Sequence, residues 1–458
     1  MKIWIQKRSW YFLRIFSSLE YRMQRRFTSL GQLVLLGTFM GALFGIDTKQ
    51  TLGVQLFGLG IGLTLVALSS NLRRLKGLKA QRQLPPYATV GVPLQYRVII
   101  ENVSKHSTWD CIIQEALPDP RPNLEIFLET PTPYENRSNS FDTFIGYPRW
   151  RWLVQQGQKV LKAAAIPLPA LIPGAKTTLE LNLIPCRRGL LQLHNLEAKY
   201  TDVLGLTQRQ VSIAPNAQIL VLPQRYPIPM LQLLGRRRLQ PGGISLANTV
   251  GESQEFIGLR EYRPGDSPRL MDWAAWARSN EPVVKEYRDE YFSRYALILD
   301  SFVPLARQED FEAAVSVAAS FVEPLQGNDS LLDLMFVADK AYIMTSGRGL
   351  LTSTALLEVL AYVQPQPYDE FSTLSETALN AATLLSAVLC ILLSWDSQRQ
   401  VFVQKLRMLG MPVRVLLIGS IECSKDIATM SDQNFYHLDP QSIATGLANF
   451  GTLDKHPG

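Results

Sequence analysis

The sequence predicts a multidomain membrane protein, in which an N-terminal transmembrane helical hairpin is followed by an antiparallel β-sandwich and then by an α/β domain with a mainly parallel sheet. Three observations predict this fold class. Two apolar runs lie in a basic N-terminal region, a period-two alternation of apolar and polar residues follows them, and apolar strands alternate with helices after Ala296. At 458 residues the chain is long enough for two or three domains.

The first predicted element is a pair of membrane-spanning helices within residues 30–70. The apolar runs Leu30 to Ile46 and Leu52 to Ser70 are 17 and 19 residues long and contain no charged residue. Each is near the length of about 20 residues that a helix needs to cross a bilayer. The alternative is a buried hairpin of a soluble protein, which is less favoured because such runs exceed ordinary core helices. The second run, so close behind the first, excludes a signal peptide.

Basic residues surround this hairpin. Residues 1–83 hold thirteen of the 46 Lys and Arg but only two of the 40 Asp and Glu, whereas the other 375 residues hold 33 basic and 38 acidic residues. Because basic residues accumulate on the cytoplasmic side of a membrane, the flanks 1–29 and 71–83 predict that both termini are cytoplasmic. This distribution favours the lipid bilayer as a partner and argues against nucleic acid.

Glycines recur at every fourth position in both predicted membrane helices. They are Gly37, Gly41 and Gly45 in the first helix and Gly58 and Gly62 in the second. Small residues at this spacing allow helix backbones to approach closely in lipid. We expect them to pack the hairpin against itself, and the same faces offer a second use in forming a homo-oligomer.

Residues 84–223 are predicted to form the β-sandwich, of roughly immunoglobulin-like size. Apolar and polar residues alternate along 94–101 and 179–183, as in half-buried strands, and Pro and Gly interrupt the region repeatedly. The string TDVLGL at 201–206 predicts a turn before an edge strand. Residues 130–160 show no clear period and are predicted to be a long excursion from the sandwich.

The segment 255–295 combines charge and aromatic rings in a way that suits neither a plain surface nor a plain core. Seven basic, eight acidic and eight aromatic residues share its 41 positions. We expect its charges to be paired and partly buried, because an unpaired buried charge is costly. Pro264 and Gly265 suit the centre of a type II turn, and Ser267 suits the cap of a helix that begins at Pro268.

The predicted helix extends to about Ala277, and a strand is predicted near 283–287. Trp273 and Trp276 are three residues apart and therefore share one face of this helix. We expect them to pack it onto the sheet that begins at Ala296.

This segment resembles the signature of the bacterial family called domain of unknown function 58. The matching residues are Glu255, Phe256, Leu259, Arg260, Tyr262, Gly265, Asp266, Arg269, Trp273, Ala277, Arg278, Lys285, Glu286 and Asp300. The resemblance implies the family's layout of two membrane helices, a β-rich segment, the signature and a domain resembling the von Willebrand factor A type. It also implies a partner, because family members are commonly associated with MoxR-type AAA+ ATPases. The residues expected to form the interaction surface are Arg260, Tyr262, Gly265, Asp266, Arg269, Asp272, Trp273 and Arg278.

Residues 296–450 predict the α/β domain. Apolar strands are predicted at 296–300, 331–337, 341–345, 387–395 and 413–419, and helices at 311–325, 353–363 and 398–409. Continuous apolar strands between helices are typical of a mainly parallel sheet covered on both faces.

Asp300 and Asp396 follow two of these strands, at the edge where such sheets bind ligands. A-type domains place metal-binding oxygens there in the motif D-x-S-x-S, but this chain reads Asp300, Ser301, Phe302, Val303 and Pro304. A Mg²⁺ site would have to be built from Asp300, Ser301 and Asp396, with help from Thr345 or water. We favour a structural capping role for Asp300 and expect no cofactor.

The sequence offers little catalytic apparatus. The four His and four Cys are scattered without ligand spacing, which fits a reducing cytoplasm, and no phosphate-binding loop or nucleophile elbow occurs. Asp266 and Asp272 are a candidate carboxylate pair, but the nearby arginines favour ion pairing over acid–base chemistry. The sequence therefore predicts a cytoplasm-facing scaffold or adaptor without its own catalysis, in protein-complex assembly or cell-envelope maintenance. The alternative is an enzyme that acts on cell-envelope material through these carboxylates.

These inferences divide the chain into eight segments. They are a basic N-terminal segment (1–29), two transmembrane helices (30–70), a basic juxtamembrane linker (71–83), the β-sandwich (84–223), a linker (224–254), the signature segment (255–295), the α/β domain (296–450) and a tail (451–458).

Overall fold

The computed structural model describes residues 2–44, 51–72, 77–130, 140–228, 255–279, 281–288, 293–304, 307–325, 330–347, 350–366, 370–419 and 434–450. The chain divides into two compact units, Met1–Gln224 and Arg225–Gly458, so the expected multidomain organisation is confirmed. Most of the predicted linker 224–254 and the whole tail 451–458 lie outside the described residues.

The first unit begins with three helices, α1 (Lys2–Arg26), α2 (Ser29–Phe44) and α3 (Thr51–Leu72). Among the described residues one span, Leu52–Ser70 in α3, is long and apolar enough to cross a membrane, and α2 is a shorter apolar helix. The 16 residues of α2 give a length of about 24 Å, less than the hydrocarbon thickness of about 30 Å. The end of the first predicted span, including Gly45, lies outside the described residues.

The packing of α2 on α3 uses part of the predicted glycine pattern. A Cβ added to Gly41 would lie 3.1 Å from the Phe57 nitrogen, and one added to Gly60 would lie 2.0 Å from the Thr38 hydroxyl. Gly37, Gly58 and Gly62 have no such neighbour within 4 Å. The close contact is therefore made by Gly41 and Gly60, and the homo-oligomer through glycine faces stays a prediction.

The segment 1–29, expected only to be a basic flank, contains the 25-residue helix α1. The Trp10 side chain is buried, and its ring nitrogen donates a hydrogen bond to the Pro122 carbonyl at 3.2 Å. Ser9 donates to the Ile145 carbonyl at 2.6 Å. These contacts hold α1 against the rest of the first unit.

The region 78–222 of this unit, called the β region below, contains eleven strands in its described part. They are β1 (Leu78–Gln83), β2 (Tyr87–Thr89), β3 (Leu94–Asn102), β4 (Cys111–Glu115), β5 (Leu161–Ala163), β6 (Ile166–Leu168), β7 (Lys176–Pro185), β8 (Gly189–Leu193), β9 (Leu196–Thr201), β10 (Gln208–Ala214) and β11 (Ala217–Leu222). They form sheets in the orders β1-β3-β7-β5, β10-β9-β4-β6 and β2-β11-β8, with only β2 and β11 parallel. One hydrophobic core is shared by residues from all three sheets.

Strand β1 begins at Leu78, six residues before the predicted boundary at 84, and pairs with β3. Its Arg82 lies in the segment expected to be a juxtamembrane linker, yet the side chain is buried against Glu115. Arg82 is therefore a core residue of the β region, which its charge alone could not indicate. The edge strand predicted after TDVLGL is confirmed, because β10 ends its sheet.

The predicted excursion at 130–160 is largely helical. Its helices are α5 (Ser140–Ile145) and α6 (Tyr147–Gln158), and α4 (Leu124–Glu129) precedes it, while 131–139 lie outside the described residues. Phe127 and Trp150 pack with Trp10 of α1 in a small hydrophobic cluster. The helix α1 thus packs on this excursion.

The second unit contains a two-stranded sheet followed by a six-stranded sheet with helices. Its elements are β12 (Glu255–Glu261), α7 (Trp273–Ser279), β13 (Val283–Arg288), β14 (Ser293–Leu299), α8 (Gln308–Leu325), β15 (Ser330–Val337), β16 (Ala341–Ser346), α9 (Ser353–Tyr362), α10 (Phe371–Ala381), β17 (Ala387–Leu392), α11 (Ser397–Met408), β18 (Val413–Ile418), β19 (Phe435–Leu438) and α12 (Ile443–Asn449). The larger sheet has the order β16-β15-β14-β17-β18-β19, and only β16 is antiparallel to its neighbour.

Helices α10 and α11 pack on the face of this sheet that carries Ala296 and Ile298. Alternation along the strand places Leu297 and Leu299 on the other face, and α8 contacts β14 as well. The sequence pattern indicated α8, α9 and α11 to within a few residues. It missed α10, β19 and α12, of which β19 and α12 are only four and seven residues long.

Candidate functional site

The edge of the six-stranded sheet beyond the carboxyl ends of β14 and β17 brings together Asp300 and Asp396. Asp300 follows β14 directly, and both of its oxygens accept backbone hydrogen bonds, from Phe302 at 3.1 Å and from Leu393 at 3.2 Å. Asp396 caps α11, since its side chain accepts the Arg399 backbone N–H at 3.0 Å. Asp300 thus binds backbone N–H groups just after β14 and β17, whereas the helix cap at this edge is provided by Asp396.

Arg399 joins these two carboxylates. Its Nε donates to Asp300 Oδ2 at 2.7 Å and its Nη2 to Asp300 Oδ1 at 3.1 Å, while Nη1 donates to Asp396. The side chains of Arg399 and Asp300 are 1% and 0% exposed. Burial raises the pKa of Asp300, and the guanidinium opposes that rise. The Phe371 ring lies 4.5 Å from the guanidinium carbon and covers it.

These residues do not fit a divalent cation. Both Asp300 oxygens already bind Arg399, and the Ser301 hydroxyl donates to the Val337 carbonyl at 2.7 Å. Thr345 does not belong to this group of residues. Its hydroxyl donates to Asp333 at 2.7 Å, and Asp333 pairs with Arg294 near the start of β14, whereas Asp300 follows the end of that strand. The described residues contain no group of three or more His, Cys, Asp or Glu able to hold a metal. The Mg²⁺ site at Asp300, Ser301 and Asp396 stays a prediction that this arrangement does not support.

The signature segment forms a separate hairpin of β12 and β13. The predicted type II turn is present, since the Asp266 N–H donates to the Arg263 carbonyl at 3.0 Å and Gly265 has φ +112°. Arg260 binds the Asp266 carboxylate with two nitrogens, at 2.8 and 2.7 Å. This hydrogen-bonded guanidinium holds the pKa of Asp266 below its usual range. The pair fixes the turn to the strand that precedes it.

Asp272 divides the predicted helix into two parts. A 3-10 turn at Pro268–Leu270 comes first, and α7 begins after Asp272, whose carboxylate accepts the N–H groups of Ala274 and Ala275. The Ala275 amide and the Lys285 ammonium, 3.7 Å away, lower the pKa of Asp272. A carboxyl group that acts as a general acid needs a raised pKa, so the lowered pKa values of Asp266 and Asp272 argue against that role and agree with their ion pairs.

Two expectations about the signature are wrong. Arg269 and Arg278 are exposed and therefore lie outside a partly buried network, while Arg260 pairs with Asp266 and Lys285 pairs with Asp272. Trp273 is 64% exposed and stacks on Trp276 at a centroid distance of 5.4 Å, instead of packing α7 onto the six-stranded sheet. The helix has only seven residues, lies between β12 and β13 in the chain, and contacts β13. Tyr262 donates its backbone N–H to Pro282 at 2.8 Å and closes the hairpin.

Sequence reasoning missed Arg399, although a signal was present. Arg399 precedes Phe402, Val403 and Leu406 by three, four and seven residues, which is the spacing of one helix face. All four side chains are buried. A charged residue in line with an apolar stripe indicates a buried ion pair, and Asp396, three residues earlier, was its nearest candidate partner.

The fold and the site define a multidomain chain with an apolar helix able to cross a membrane, a β region, and a mainly parallel sheet preceded by a charged and aromatic hairpin. Residues 258–416 match the family described as "Protein of unknown function DUF58", which confirms the resemblance seen in the signature. An uncharacterised protein of Bacillus subtilis (strain 168), YeaD, is 23% identical over 214 residues, covering 46% of this chain and 52% of that protein. The match thus spans about half the length of the curated relative.

Two solved structures of proximal thread matrix protein 1 from the mussel byssus are also similar. One is 13% identical with a TM-score of 0.28 and covers 36% of this chain and 46% of that chain. The other, described as having a zinc-occupied MIDAS motif, is 11% identical with a TM-score of 0.27 and covers 34% of this chain and 45% of that chain. TM-scores this low do not define a shared fold.

Proposed function

We propose that this chain is a membrane-anchored scaffold or adaptor whose signature hairpin is its partner-binding surface. In this proposal α2 and α3 both span the bilayer, the β region is an immunoglobulin-like sandwich, and the six-stranded sheet belongs to an A-type-like domain. The described contacts at Asp300 and in the signature are structural ones, which supports a binding role over catalysis. The partner that the family resemblance suggests is a MoxR-type AAA+ ATPase.

The exposed Trp273 is the observation that carries this proposal. A large aromatic side chain stacked on Trp276 and left in solvent gives little to the stability of its own domain, and aromatic residues are enriched at the centres of protein interfaces. Leu259 and Leu270 in the same hairpin are exposed as well. Arg269 and Arg278 add exposed positive charge beside this surface.

Replacing Trp273 by Ala is expected to weaken partner binding while leaving the fold intact. Loss of an aromatic residue that is a hot spot of an interface reduces affinity by about thirtyfold or more. The measurement is affinity purification of the full chain from membranes, with mass spectrometry of any co-purifying AAA+ ATPase and the melting temperature of each variant. Tyr362→Ala, which removes another exposed aromatic ring of the same unit, is the matched control.

Equal recovery of the ATPase by both variants would show that the hairpin is not the binding surface. If the unchanged chain recovers no ATPase, the proposed partner is wrong. If Trp273→Ala lowers the melting temperature by as much as it lowers recovery, its role is structural.

The proposed topology places both termini in the cytoplasm, since Arg22, Arg25 and Arg26 precede the helices and Lys79 and Arg82 follow them. Arg82 is buried, so the C-terminal flank depends more on Arg73, Arg74 and Lys76, which lie outside the described residues. At the C-terminus, a reporter enzyme that works only in the cytoplasm is expected to be active, and a reporter enzyme that works only on the other side of the membrane is expected to be inactive. Activity confined to the other side of the membrane would overturn this topology and favour the alternative of an enzyme acting on cell-envelope material.

A further inference from the structure

The helix α1 has an apolar face that the first unit leaves exposed. The exposed apolar residues of this face are Trp4, Tyr11, Phe12, Ile15, Phe16, Leu19 and Met23, of which Phe12 is 69% exposed. They recur at intervals of three, four and seven residues, so they form one stripe along the helix. The opposite face carries Gln6 and Trp10, which are buried.

This stripe is continuous in the chain with the apolar helices. Only Phe27 and Thr28 separate α1 from α2, and the Thr28 N–H donates to the Leu206 carbonyl at 3.0 Å while its hydroxyl donates to the Gly205 carbonyl at 2.5 Å. A Cβ added to Gly31 would lie 1.9 Å from the Leu206 oxygen. The TDVLGL turn therefore holds the beginning of α2 against the β region.

The residue that follows this turn contacts the other apolar helix. The Thr207 hydroxyl donates to the Ala67 carbonyl near the end of α3, at 3.4 Å. Val203, at the tip of the turn, is 79% exposed. The end of α1, the start of α2 and the end of α3 thus meet at one level, where a bilayer surface would cross this unit.

A cavity of about 440 Å³ opens beside the C-terminal end of α1. Five arginines line it, Arg22, Arg25, Arg26, Arg121 and Arg209, together with Tyr21. Arg25 pairs with Glu197 and Arg121 with Asp119. Within the described part of the chain the other three arginines have no carboxylate within 4.0 Å, so the cavity keeps an excess of positive charge.

We propose that α1 lies in the surface of the bilayer through its apolar face, and that the arginine cavity binds the phosphate group of an anionic lipid. Guanidinium groups form paired hydrogen bonds with phosphate oxygens, and amphipathic helices with aromatic apolar faces and flanking arginines are typical of membrane surfaces. The lipid occupant is favoured over a second protein because the stripe runs directly into the apolar helices. This inference rests on the membrane anchoring proposed above.

The first test measures lipid binding to the purified full chain in a neutral detergent by native mass spectrometry. The probes are phosphatidylglycerol, phosphatidylcholine and inorganic phosphate. We compare the unchanged chain with a triple variant, Arg22→Gln, Arg26→Gln and Arg209→Gln, and with a control triple variant, Lys105→Gln, Lys162→Gln and Lys176→Gln. The control removes the same charge from exposed positions of the β region.

We expect the unchanged chain and the control to prefer phosphatidylglycerol, and the arginine variant to bind it about a hundredfold more weakly. Equal binding by all three proteins would overturn the proposed lipid site. Inorganic phosphate that binds as tightly as phosphatidylglycerol, and with the same dependence on the arginines, would overturn the lipid as its occupant in favour of a soluble phosphate compound.

The second test measures the depth of α1 in vesicles of phosphatidylcholine and phosphatidylglycerol. The emission of Trp4, taken as the difference between the unchanged chain and Trp4→Phe, is expected to be quenched by lipids brominated near the headgroup end of the acyl chain. Unquenched Trp4 in a chain that stays in the membrane pellet after alkaline carbonate extraction would overturn the interfacial helix alone. Release of the whole chain by carbonate would overturn the membrane anchoring on which it rests.

Discussion

Arg399→Met is expected to lower the free energy of unfolding of the C-terminal unit by about 3 to 5 kcal/mol, which corresponds to a fall of roughly 10 °C in melting temperature. Met retains much of the side-chain volume beside Phe371 but removes the guanidinium. Asp300 then keeps its two backbone hydrogen bonds and loses its counter-charge while it remains fully buried. The measurement is thermal unfolding of the full chain in detergent, followed by tryptophan fluorescence.

Lys405→Met is the control for this prediction, since Lys405 is exposed on the same helix. Adding Asp300→Asn to Arg399→Met is expected to restore part of the stability, because both buried charges are then gone. An unchanged melting temperature of Arg399→Met would show that the pair is not buried as described.

Calorimetry on the unchanged chain is expected to show no Mg²⁺ binding at Asp300, because both of its oxygens already bind Arg399. Stoichiometric Mg²⁺ binding that Asp300→Ala abolishes would restore the metal site.

Arg82→Met is expected to destabilise the N-terminal unit by a similar 3 to 5 kcal/mol. The side chains of Arg82 and Glu115 are 4% and 1% exposed, and Arg82 also donates to the His194 carbonyl at 2.6 Å. Glu115 accepts a further hydrogen bond from the Tyr96 hydroxyl, and burial together with this carboxylate raises the pKa of Tyr96. Without Arg82, a buried carboxylate would face a phenol and no cation.

Arg97→Met provides the matched control in the same sheet. Arg97 pairs with Glu180 at 3.4 Å, but the two side chains are 67% and 65% exposed. Exposed pairs contribute at most about 1 kcal/mol. Thermal unfolding should therefore separate the two variants clearly. Equal losses from Arg82→Met and Arg97→Met would contradict the buried position of Arg82.

The elements set by local periodicity could be predicted from the sequence. The strands β15 to β18 and the helices α8, α9 and α11 follow from apolar patterns that each segment carries in its own residues. The turn at Gly265 was equally local, because Pro264 and a residue with positive φ define it. The failures concern the partners of charged and aromatic residues. Arg82 binds Glu115 and Arg399 binds Asp300, 33 and 99 positions away along the chain.

The helix α1 was missed for a related reason. Its arginines suggested a basic flank of the membrane helices, while its apolar residues have the spacing of a helix with one free face. The prediction for Trp273 was wrong in the opposite direction, because this aromatic side chain was expected to be buried and is exposed. In both cases the sequence shows that charged or aromatic residues are present. Which surface these residues face depends on the three-dimensional arrangement, which the sequence pattern does not give.

The position of α1 also determines which fragments of this chain can be studied alone. Strand β10 ends its sheet, and α1 lies along it, with Arg25 donating to the Gln210 side chain at 2.5 Å and Gln208 donating to the Gln24 carbonyl. A fragment cut after the apolar helices would uncover the unpaired edge of β10, and exposed strand edges promote aggregation. A cut at residue 84 would remove Arg82 and β1 as well. Truncation to obtain a soluble protein would therefore damage the β region itself.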